Sequence, residues 1–427
     1  MSETHPVKSG LLWHSIFLFV ATQFANIANM LFQAVTGREL PDDEYGVLAA
    51  MMSIFLIAAT PMDALRTAMA HYATKAMRTG DTGAIRWIVN IWSRRMIGIA
   101  VLLVGLGYLL RNQAALFFQL ESGAPFVFAC GLIALTLFLP LMCGVFQGMQ
   151  NFYWMSASMH TWAILRLGLV FVLVGIWPTA EAGLAAHALA TSLGLAISLV
   201  GLNRLTNDRP ANQPGTGIGS FFFRSLFMLG SYAVLMNADL IFVKHLFPPN
   251  DAGEFARAAT IGRAVIFLPM PIALVMFPKV ITSGPSTRDS RVTLLKAVGM
   301  VALLIGSAVA VTVAAPWLPL WVMYGIREPT PEMSRLLILF VSAVSPLALT
   351  FLLMNYEIAQ HRFGMTYLLI LCAVVYIGGV VLWHDTMEHV VYVLGGVSTL
   401  SAIGFTLGIA WRAGRKGLGA PVAAGEA

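Results

Sequence analysis

Residues 125–148 read PFVFACGLIALTLFLPLMCGVFQG, a stretch of twenty-four residues without one charged side chain. A helix rises about 1.5 Å per residue, so one of this length crosses the ~30 Å hydrocarbon core of a bilayer. Similar apolar runs recur along the whole chain of 427 residues, of which 58% are hydrophobic and only 11% are charged. A soluble domain carries roughly 25% charged residues. The sequence therefore predicts a protein that folds in lipid.

Polar breaks divide the chain into twelve predicted membrane spans. The first six lie near 11–37, 45–74, 96–110, 125–148, 154–177 and 183–203. The second six lie near 222–247, 252–278, 297–324, 334–357, 364–384 and 389–411. We expect an all-α integral membrane protein of about 12 transmembrane helices in two pseudo-symmetric six-helix lobes. The predicted parts are an N-terminal lobe at 1–203, a cytoplasmic linker at 204–220, a C-terminal lobe at 221–411 and a cytoplasmic tail at 412–427.

A short repeat supports the division into two halves. The residues LPDDEYG at 40–46 align with FPPNDAG at 247–253, where each half enters its second helix. The alignment pairs two prolines and two glycines at equivalent positions. Structural repeats are typical of transporters, which bind their substrate at the interface between the repeats. A chance match among turn residues is the alternative interpretation.

Basic residues are distributed unevenly between the predicted loops. With both termini in the cytoplasm, 16 lysine and arginine residues lie in cytoplasmic segments, and only Arg38, Arg111 and Arg327 lie in external loops. Cytoplasmic loops of membrane proteins are enriched in these residues, so the asymmetry predicts a cytoplasmic N-terminus and C-terminus. The polar N-terminus contains no cleavage site of the kind that ends a signal peptide. We therefore expect the first apolar segment to be a permanent helix.

Several functional classes are disfavoured by the same features. The net charge of +6 arises mostly from short loops, where it sets topology, so nucleic acid is not an expected partner. Cys130, Cys143 and Cys372 all lie in apolar segments without a C-x-x-C pair, which favours buried hydrophobic residues over a redox or metal site. No cofactor is expected. The external loops are too short to form a catalytic domain, so we do not expect an enzyme.

Five stretches resemble Wzx-type polysaccharide flippases, members of the multidrug/oligosaccharidyl-lipid/polysaccharide exporter superfamily. TGRELPDDEYGVL at 36–48 resembles the first external turn of these proteins. NADLIFVK at 237–244, followed by AGEF at 252–255, resembles their hairpin between the seventh and eighth helices. FLP at 267–269 and MFPK at 276–279 continue the resemblance, which spans most of the chain with loose motifs.

This resemblance implies a V-shaped pair of six-helix lobes around a central cavity. It also implies outward flipping of polyprenyl-diphosphate-linked sugars by alternating access, with basic cavity residues holding the diphosphate. The expected partners are a polyprenyl-diphosphate-linked or other anionic glycan and membrane lipids. The expected location is the cell (inner) membrane, and we expect a monomer.

Charged residues within the predicted spans identify candidate site residues. An isolated charge facing lipid costs at least ~2.5–3.5 kcal/mol, so such residues normally face a cavity or each other. The acidic residues are fewer than the basic ones: Asp63, Asp239, Glu254 and Glu357. The basic residues are Arg66, Arg166, Arg224, Lys244, Arg257, Arg263 and Arg335.

The substrate-binding candidates are Arg166, Arg263, Arg66, Lys244 and Arg257. The first two lie deepest, more than two helical turns from either end. Arginine suits a diphosphate because its planar fork donates two hydrogen bonds to one anion and stays charged when partly desolvated.

Each candidate also has a structural interpretation. Asp63 and Arg66 are three residues apart on one helix face and can pair, after a kink expected at Pro61. Asp239 can pair with Arg263 or Arg257 on the next helix. The two aspartates are therefore candidates for ion coupling or charge pairing.

The residues nearer the span ends have a further interpretation. Lys244 and Arg257 lie near the external rim, and Arg224, Arg335 and Glu357 lie near span ends, so all five can extend toward the headgroups. Arg257 can also pair with Glu254, three residues before it. His71, His160 and His187 are interpreted as packing residues rather than as a proton relay.

Four functions are compatible with a polytopic protein of this kind. The first is an exporter of a lipid-linked anionic oligosaccharide. The second, a multidrug or organic-cation antiporter of the same superfamily, would be expected to have an acidic cavity rather than an excess of basic residues. A membrane-embedded glycan-processing enzyme would need a large external loop or a catalytic His/Asp constellation. A major-facilitator carrier would carry a G-x-x-x-D-R-x-G-R pattern, which residues 71–95 lack.

Overall fold

The computed structural model describes residues 8–78, 80–206, 219–267, 269, 272–273, 276, 280, 288–360 and 362–417. Their regular secondary structure is helical throughout. The first nine helices are α1 (Lys8–Glu39), α2 (Asp42–Ala59), α3 (Asp63–Arg78), α4 (Thr82–Leu109), α5 (Arg111–Phe117), α6 (Ala124–Thr136), α7 (Phe138–Gly148), α8 (Phe152–Ile176) and α9 (Ala180–Leu205). The others are α10 (Gly219–Leu246), α11 (Pro249–Phe267), α12 (Arg288–Ala314), α13 (Trp317–Tyr324), α14 (Pro331–Ala359), α15 (Thr366–Leu382) and α16 (Met387–Gly417).

The predicted all-α membrane fold is confirmed. Within the described ranges, nine helical segments are long and apolar enough to cross a membrane, and each coincides with one of the twelve predicted spans. The other three predicted spans overlap α1, α11 and α15. Large apolar side chains remain exposed along many of these helices, for example Val101, Leu303 and Leu382. Exposed apolar surface on this scale is what a lipid-facing protein requires.

The start of the third span was predicted wrongly. The sequence suggested a span at 96–110 after a basic loop, but α4 begins at Thr82, where the side chain of Asp81 accepts a hydrogen bond from the Ala84 amide. Arg86, Arg94 and Arg95 therefore lie on the helix itself. The residues 207–218 of the predicted linker and 418–427 of the predicted tail lie outside the described residues.

The second predicted span is interrupted at Pro61, as expected. A 3₁₀ turn at Thr60–Met62 separates α2 from α3. Proline lacks the amide hydrogen that an α-helix interior needs, and its ring clashes with the preceding turn. The interruption places Asp63 at the first position of α3.

The described chain divides into two compact units. Unit 1 comprises Met1–Leu226, Lys244–Ala256 and Met323–Gly325, and unit 2 comprises Phe227–Val243, Arg257–Val322 and Ile326–Ala427. The end of α10 and the start of α11 therefore belong to unit 1. The lobe limits at 203 and 221 and the pseudo-symmetry between the halves remain predictions.

In unit 1, α3 and α7 pack through two glycines spaced four residues apart. A Cβ atom at Gly144 would lie 2.3 Å from the carbonyl oxygen of Arg66, and one at Gly148 would lie 2.3 Å from that of Ala70. Two glycines at this spacing let helix backbones approach closely, a common form of packing in membranes. The contact fixes α3, and with it Asp63 and Arg66, against α7.

The two repeated turns found in the sequence lie against each other in unit 1. A Cβ atom at Gly253 would lie 2.0 Å from the carbonyl oxygen of Asp42, and one at Gly46 would lie 3.1 Å from the amide nitrogen of Gly253. Nearby, the Tyr45 and Tyr324 hydroxyls are 3.0 Å apart, and Arg38 Nε donates to the carbonyl oxygen of Met323 at 2.8 Å.

In unit 2, α14 packs against α12 and α16. The Thr350 and Ser401 hydroxyls are 2.9 Å apart between α14 and α16. The hydroxyl of Tyr232 on α10 donates to the carbonyl oxygen of Leu347 at 3.1 Å. Pro346 lies inside α14, so the hydroxyl of Tyr232 reaches a carbonyl next to the proline.

The orientation in the membrane can be tested with single cysteines at exposed positions. We expect Asn250→Cys, in the first turn of α11, to react with an impermeant thiol reagent added outside the cell. Gly364→Cys, between α14 and α15, is expected to react only after the membrane is permeabilised. The native Cys130, Cys143 and Cys372 are buried, so background labelling should be low. The reverse pattern would contradict the cytoplasmic assignment of both termini.

Candidate functional site

Arg166 lies on α8 in the interior of unit 1, and its side chain contacts two other helices, α1 and α9. Its Nη2 donates to Asn29 Oδ1 on α1 at 2.7 Å, and its Nη1 is 3.2 Å from Nδ1 of His187 on α9. The guanidinium carbon lies 3.8 Å from the ring centroid of Phe32. The residue is only 4% exposed. Arg166 is thus buried inside unit 1, and its role at a binding site remains a prediction.

Arg166 carries no compensating negative charge in the described part of unit 1. Its hydrogen-bond partners, Asn29 and His187, are not acidic, and no carboxylate acts on it electrostatically. Its Nε is buried without a hydrogen-bond partner among the described residues. Aromatic rings cover the cation, which favours a guanidinium because it is weakly hydrated and can stack. The guanidinium is therefore held by Asn29 and His187, and no negative charge among the described residues balances it.

His187 lies in an aromatic cage beside Arg166. Its ring stacks on Trp162, with centroids 5.0 Å apart and planes 7° apart, and it packs against the ring of Phe55 in an edge-to-face arrangement with centroids 4.9 Å apart.

Asn29 and His187 were not predicted as site residues from the sequence. A neutral partner more than a hundred residues away leaves no periodic signal, and a helical histidine is usually a packing residue. His160, also on α8, contacts Thr22 at 3.2 Å instead.

The predicted pair of Asp63 and Arg66 is confirmed. Arg66 Nη2 is 3.4 Å from Asp63 Oδ1, and Nη1 is 3.8 Å from the sulfur of Met159. The Asp63 side chain is 57% exposed, so solvent weakens the pair. A pair of this kind is compatible with both a structural and a ligand-binding role.

Lys244 is buried, contrary to the interpretation that it extends toward the headgroups. It is 1% exposed, and the carboxylates of Asp43 and Glu44 act on its ammonium group. Glu44 also accepts a hydrogen bond from the Ala180 amide at 2.6 Å, which ties the start of α2 to the start of α9. Arg257, on α11 in unit 2, is half-buried.

In unit 2, Arg263 pairs with Asp239, one of the two partners expected from the sequence. Nη2 of Arg263 donates to Oδ1 of the fully buried Asp239, and Nε donates to the carbonyl oxygen of Met236 at 2.8 Å. Asp239 Oδ2, Asn237 Oδ1 and the Tyr376 hydroxyl are among the polar atoms of unit 2 that are buried without a partner in the described residues. Unlike Arg166, Arg263 is neutralised by a carboxylate in its own unit.

Glu357 does not extend toward the headgroups, as its position near a span end had suggested. It is fully buried, and its Oε2 accepts a hydrogen bond at 2.6 Å from Arg412, which had been assigned to the cytoplasmic tail. The pair joins the ends of α14 and α16. In the described residues, no group of three or more His, Cys, Asp or Glu side chains could hold a metal ion.

Comparison with solved structures relates this architecture to known proteins. A multidrug resistance MATE family transporter of the MOP superfamily, in an inward-facing conformation, matches with a TM-score of 0.70 and 14% identity, over 93% of this chain and 96% of that one. The lipid II flippase MurJ, in an inward closed conformation, matches with a TM-score of 0.68 and 11% identity, over 92% and 87%. The chain therefore has the same fold as these two solved structures.

A third match belongs to the same superfamily. A MOP transporter from Pyrococcus furiosus, described as having a binding pocket of reverse polarity that suggests a different function, matches with a TM-score of 0.59 and 14% identity, over 93% of each chain. No protein-family model matches the sequence, and no curated protein matches it. The likeness therefore concerns the fold of a multi-pass membrane protein.

Proposed function

We propose that the protein is a transporter that moves a polyprenyl-diphosphate-linked oligosaccharide or a related anionic glycan precursor across the cytoplasmic membrane by alternating access. The observation that carries this proposal is the buried, uncompensated guanidinium of Arg166. The likeness of the fold to a lipid II flippase supports it. The proposal includes a monomer in the inner membrane, with both termini cytoplasmic and no nucleic-acid partner.

A buried cation without a carboxylate is costly to the folded protein. Removing one partner of a buried ion pair typically destabilises a protein by about 3–5 kcal/mol, because the remaining charge is uncompensated. Arg166 is in that condition among the described residues, with only the neutral side chain of Asn29, the ring nitrogen of His187 and aromatic faces around it. A ligand that brings negative charge would offset this cost. A diphosphate also supplies the planar pairs of oxygens that the guanidinium fork recognises.

The other predicted residues take different roles in this proposal. Three basic residues remain candidates for guiding the anion: Arg66, Lys244 and Arg257. Arg66 pairs with Asp63, and Lys244 lies near Asp43 and Glu44. Arg257 follows Glu254 by three residues in the sequence. Arg263 and Asp239 are proposed to act as a charge pair that holds α10 and α11 together.

A second candidate function is antiport of an organic cation. The likeness to a multidrug resistance transporter favours it, as does the largely exposed carboxylate of Asp63. A cationic drug would be repelled by Arg166, which has no acidic neighbour in the described residues. The two candidates therefore predict opposite charges on the ligand.

Binding of farnesyl diphosphate to the purified full-length protein in detergent tests the proposal. We expect Arg166→Ala to raise the Kd roughly 10- to 100-fold, because a hydrogen bond to a charged group contributes about 1.5–3 kcal/mol and 1.4 kcal/mol is about tenfold. Arg166→Lys keeps the charge but not the fork, so an intermediate Kd is expected. Isothermal titration calorimetry would measure all three.

The matched control is Arg335→Ala, which removes an exposed arginine from a surface ion pair with Glu388 and should leave the Kd unchanged. Farnesol, which has the same tail without phosphate, should bind far more weakly than the diphosphate. Equal binding of farnesyl diphosphate by the wild type and Arg166→Ala would overturn the proposal. Binding of ethidium that depends on Asp63 and not on Arg166 would favour organic-cation antiport instead.

A further inference from the structure

The contact between Arg166 and His187 fixes the protonation of the histidine. A guanidinium has only donors, so the 3.2 Å contact from Nη1 is a hydrogen bond only if Nδ1 of His187 accepts it. The imidazole is then neutral, with its proton on Nε2. A proton on Nδ1 would set two donors and two positive charges against each other. Protonation of His187 and the present position of Arg166 are therefore mutually exclusive.

Arg166 is the charged group that faces His187 among the described residues. It lies on α8, and no other charged or titratable side chain acts on the imidazole. The remaining faces are covered by Trp162 from α8, Phe32 from α1 and Phe55 from α2, which do not titrate. The helices α6 and α7, which also pack against α9, place no charged or titratable side chain against the ring. His187 is only 2% exposed. The hydrogen bond from Nη1 of Arg166 therefore controls whether Nδ1 of His187 can hold a proton.

An anionic ligand would compete with His187 for the hydrogen bond from Arg166. When a phosphate oxygen accepts the hydrogen bond of Nη1, Nδ1 of His187 loses its donor and is left beside the ligand. A proton on Nδ1 can then be donated to a second ligand oxygen. The proton comes from water on the side from which the ligand enters, and it returns to water when the ligand leaves. The positive charges of Arg166 and His187 together would balance the multiple negative charge of a diphosphate.

We infer that His187 binds a proton together with the anionic ligand, so that ligand binding is linked to proton uptake. This inference rests on the proposed function, because it requires an anion at Arg166. Histidine is suited to the role, since it is the side chain whose ordinary titration falls between about pH 5 and 8. A purely structural acceptor would not need to titrate, and glutamine could serve equally well.

The test compares the wild type with His187→Gln, which keeps a side-chain acceptor but cannot titrate. Titrating farnesyl diphosphate at about pH 7 in buffers of different ionisation enthalpy gives the number of protons taken up per ligand. Protonation of the ligand itself contributes equally to both proteins and cancels in the difference. We expect the wild type to take up close to one proton more than His187→Gln. Equal proton uptake in two proteins that both bind the ligand would overturn the inference and leave the proposed function standing.

A second measurement needs only the wild type, in case His187→Gln does not fold. Sulfate keeps its charge between about pH 5.5 and 8, so any pH dependence of its binding belongs to the protein. Linkage to one proton makes the Kd fall by up to about tenfold for each unit by which the pH is lowered. A sulfate Kd that is constant over this range would overturn the inference. Failure of the wild type to bind either anion would instead overturn the proposed function.

Discussion

Replacing Arg263 by alanine is expected to lower the free energy of unfolding by about 3–5 kcal/mol, the usual cost of breaking a buried ion pair. The change leaves the Asp239 carboxylate fully buried without its guanidinium partner, and Oδ2 of that carboxylate has no hydrogen bond among the described residues even in the wild type. Thermal unfolding of the purified protein in detergent would measure the loss. Arg335→Ala, at an exposed pair with Glu388, is the matched control and is expected to cost about 0–1 kcal/mol.

The double variant Asp239→Ala with Arg263→Ala separates pairing from ligand binding. If the two residues act as a pair, removing both should restore much of the stability that Arg263→Ala loses, since no unpaired charge remains buried. Farnesyl diphosphate binding should recover with it. A double variant that is stable yet does not bind the ligand would give Arg263 a direct role in the substrate site, as the sequence first suggested. A double variant no more stable than Arg263→Ala would refute the pairing.

Replacing Gly144 by leucine is expected to prevent unit 1 from folding. A Cβ atom at this position would already lie 2.3 Å from a carbonyl oxygen of α3, and backbone atoms cannot yield as a flexible side chain can. Overpacking costs typically 1–3 kcal/mol even for added methylenes, and here α3 and α7 would have to separate. The monodisperse fraction of a fluorescent fusion in size-exclusion chromatography would measure the effect.

Gly98→Leu is the control for the change in size and helix propensity. Gly98 is exposed on α4, and an added Cβ would meet nothing within 4 Å in the described residues. Leucine is also a better helix former than glycine and is well suited to a lipid-facing position. A monodisperse Gly144→Leu protein as abundant as Gly98→Leu would contradict the close packing of α3 and α7.

Much of the fold could be predicted because lipid imposes a simple rule on sequence. A span must be long, apolar and helical, and residues 125–148 or 334–357 meet that rule without knowledge of their neighbours. The start of α4 escaped the rule, because Arg86 and Arg94 made a helical segment resemble a loop. The assignment of 244–256 and 323–325 to unit 1 could not be predicted, since hydropathy encodes depth in the membrane and not which helices meet.

The contacts of the candidate site were also predictable only in part. Asp63 and Arg66 were predictable because three residues of helix bring two side chains to one face. An ion pair between Asp239 and a basic residue of the next helix was expected, because opposite charges within the membrane normally pair. The partners of Arg166 were not predictable, because Asn29 and His187 are neutral and belong to other helices. Glu357 and Arg412 were missed because the arginine follows a predicted span and was assigned to the tail.

The partners that bury Arg166 are synthesised at different times, some before α8 and one after it. As α8 enters the membrane, an arginine near its middle costs at least ~2.5–3.5 kcal/mol, which the surrounding leucine, valine and phenylalanine residues offset in part. Asn29 and Phe32 have been synthesised well before α8, whereas His187 follows it. The ribosome therefore presents the guanidinium to a hydrogen-bond acceptor and an aromatic face that are already in the bilayer. A chain translated without α1 would have to insert α8 before its arginine had either partner.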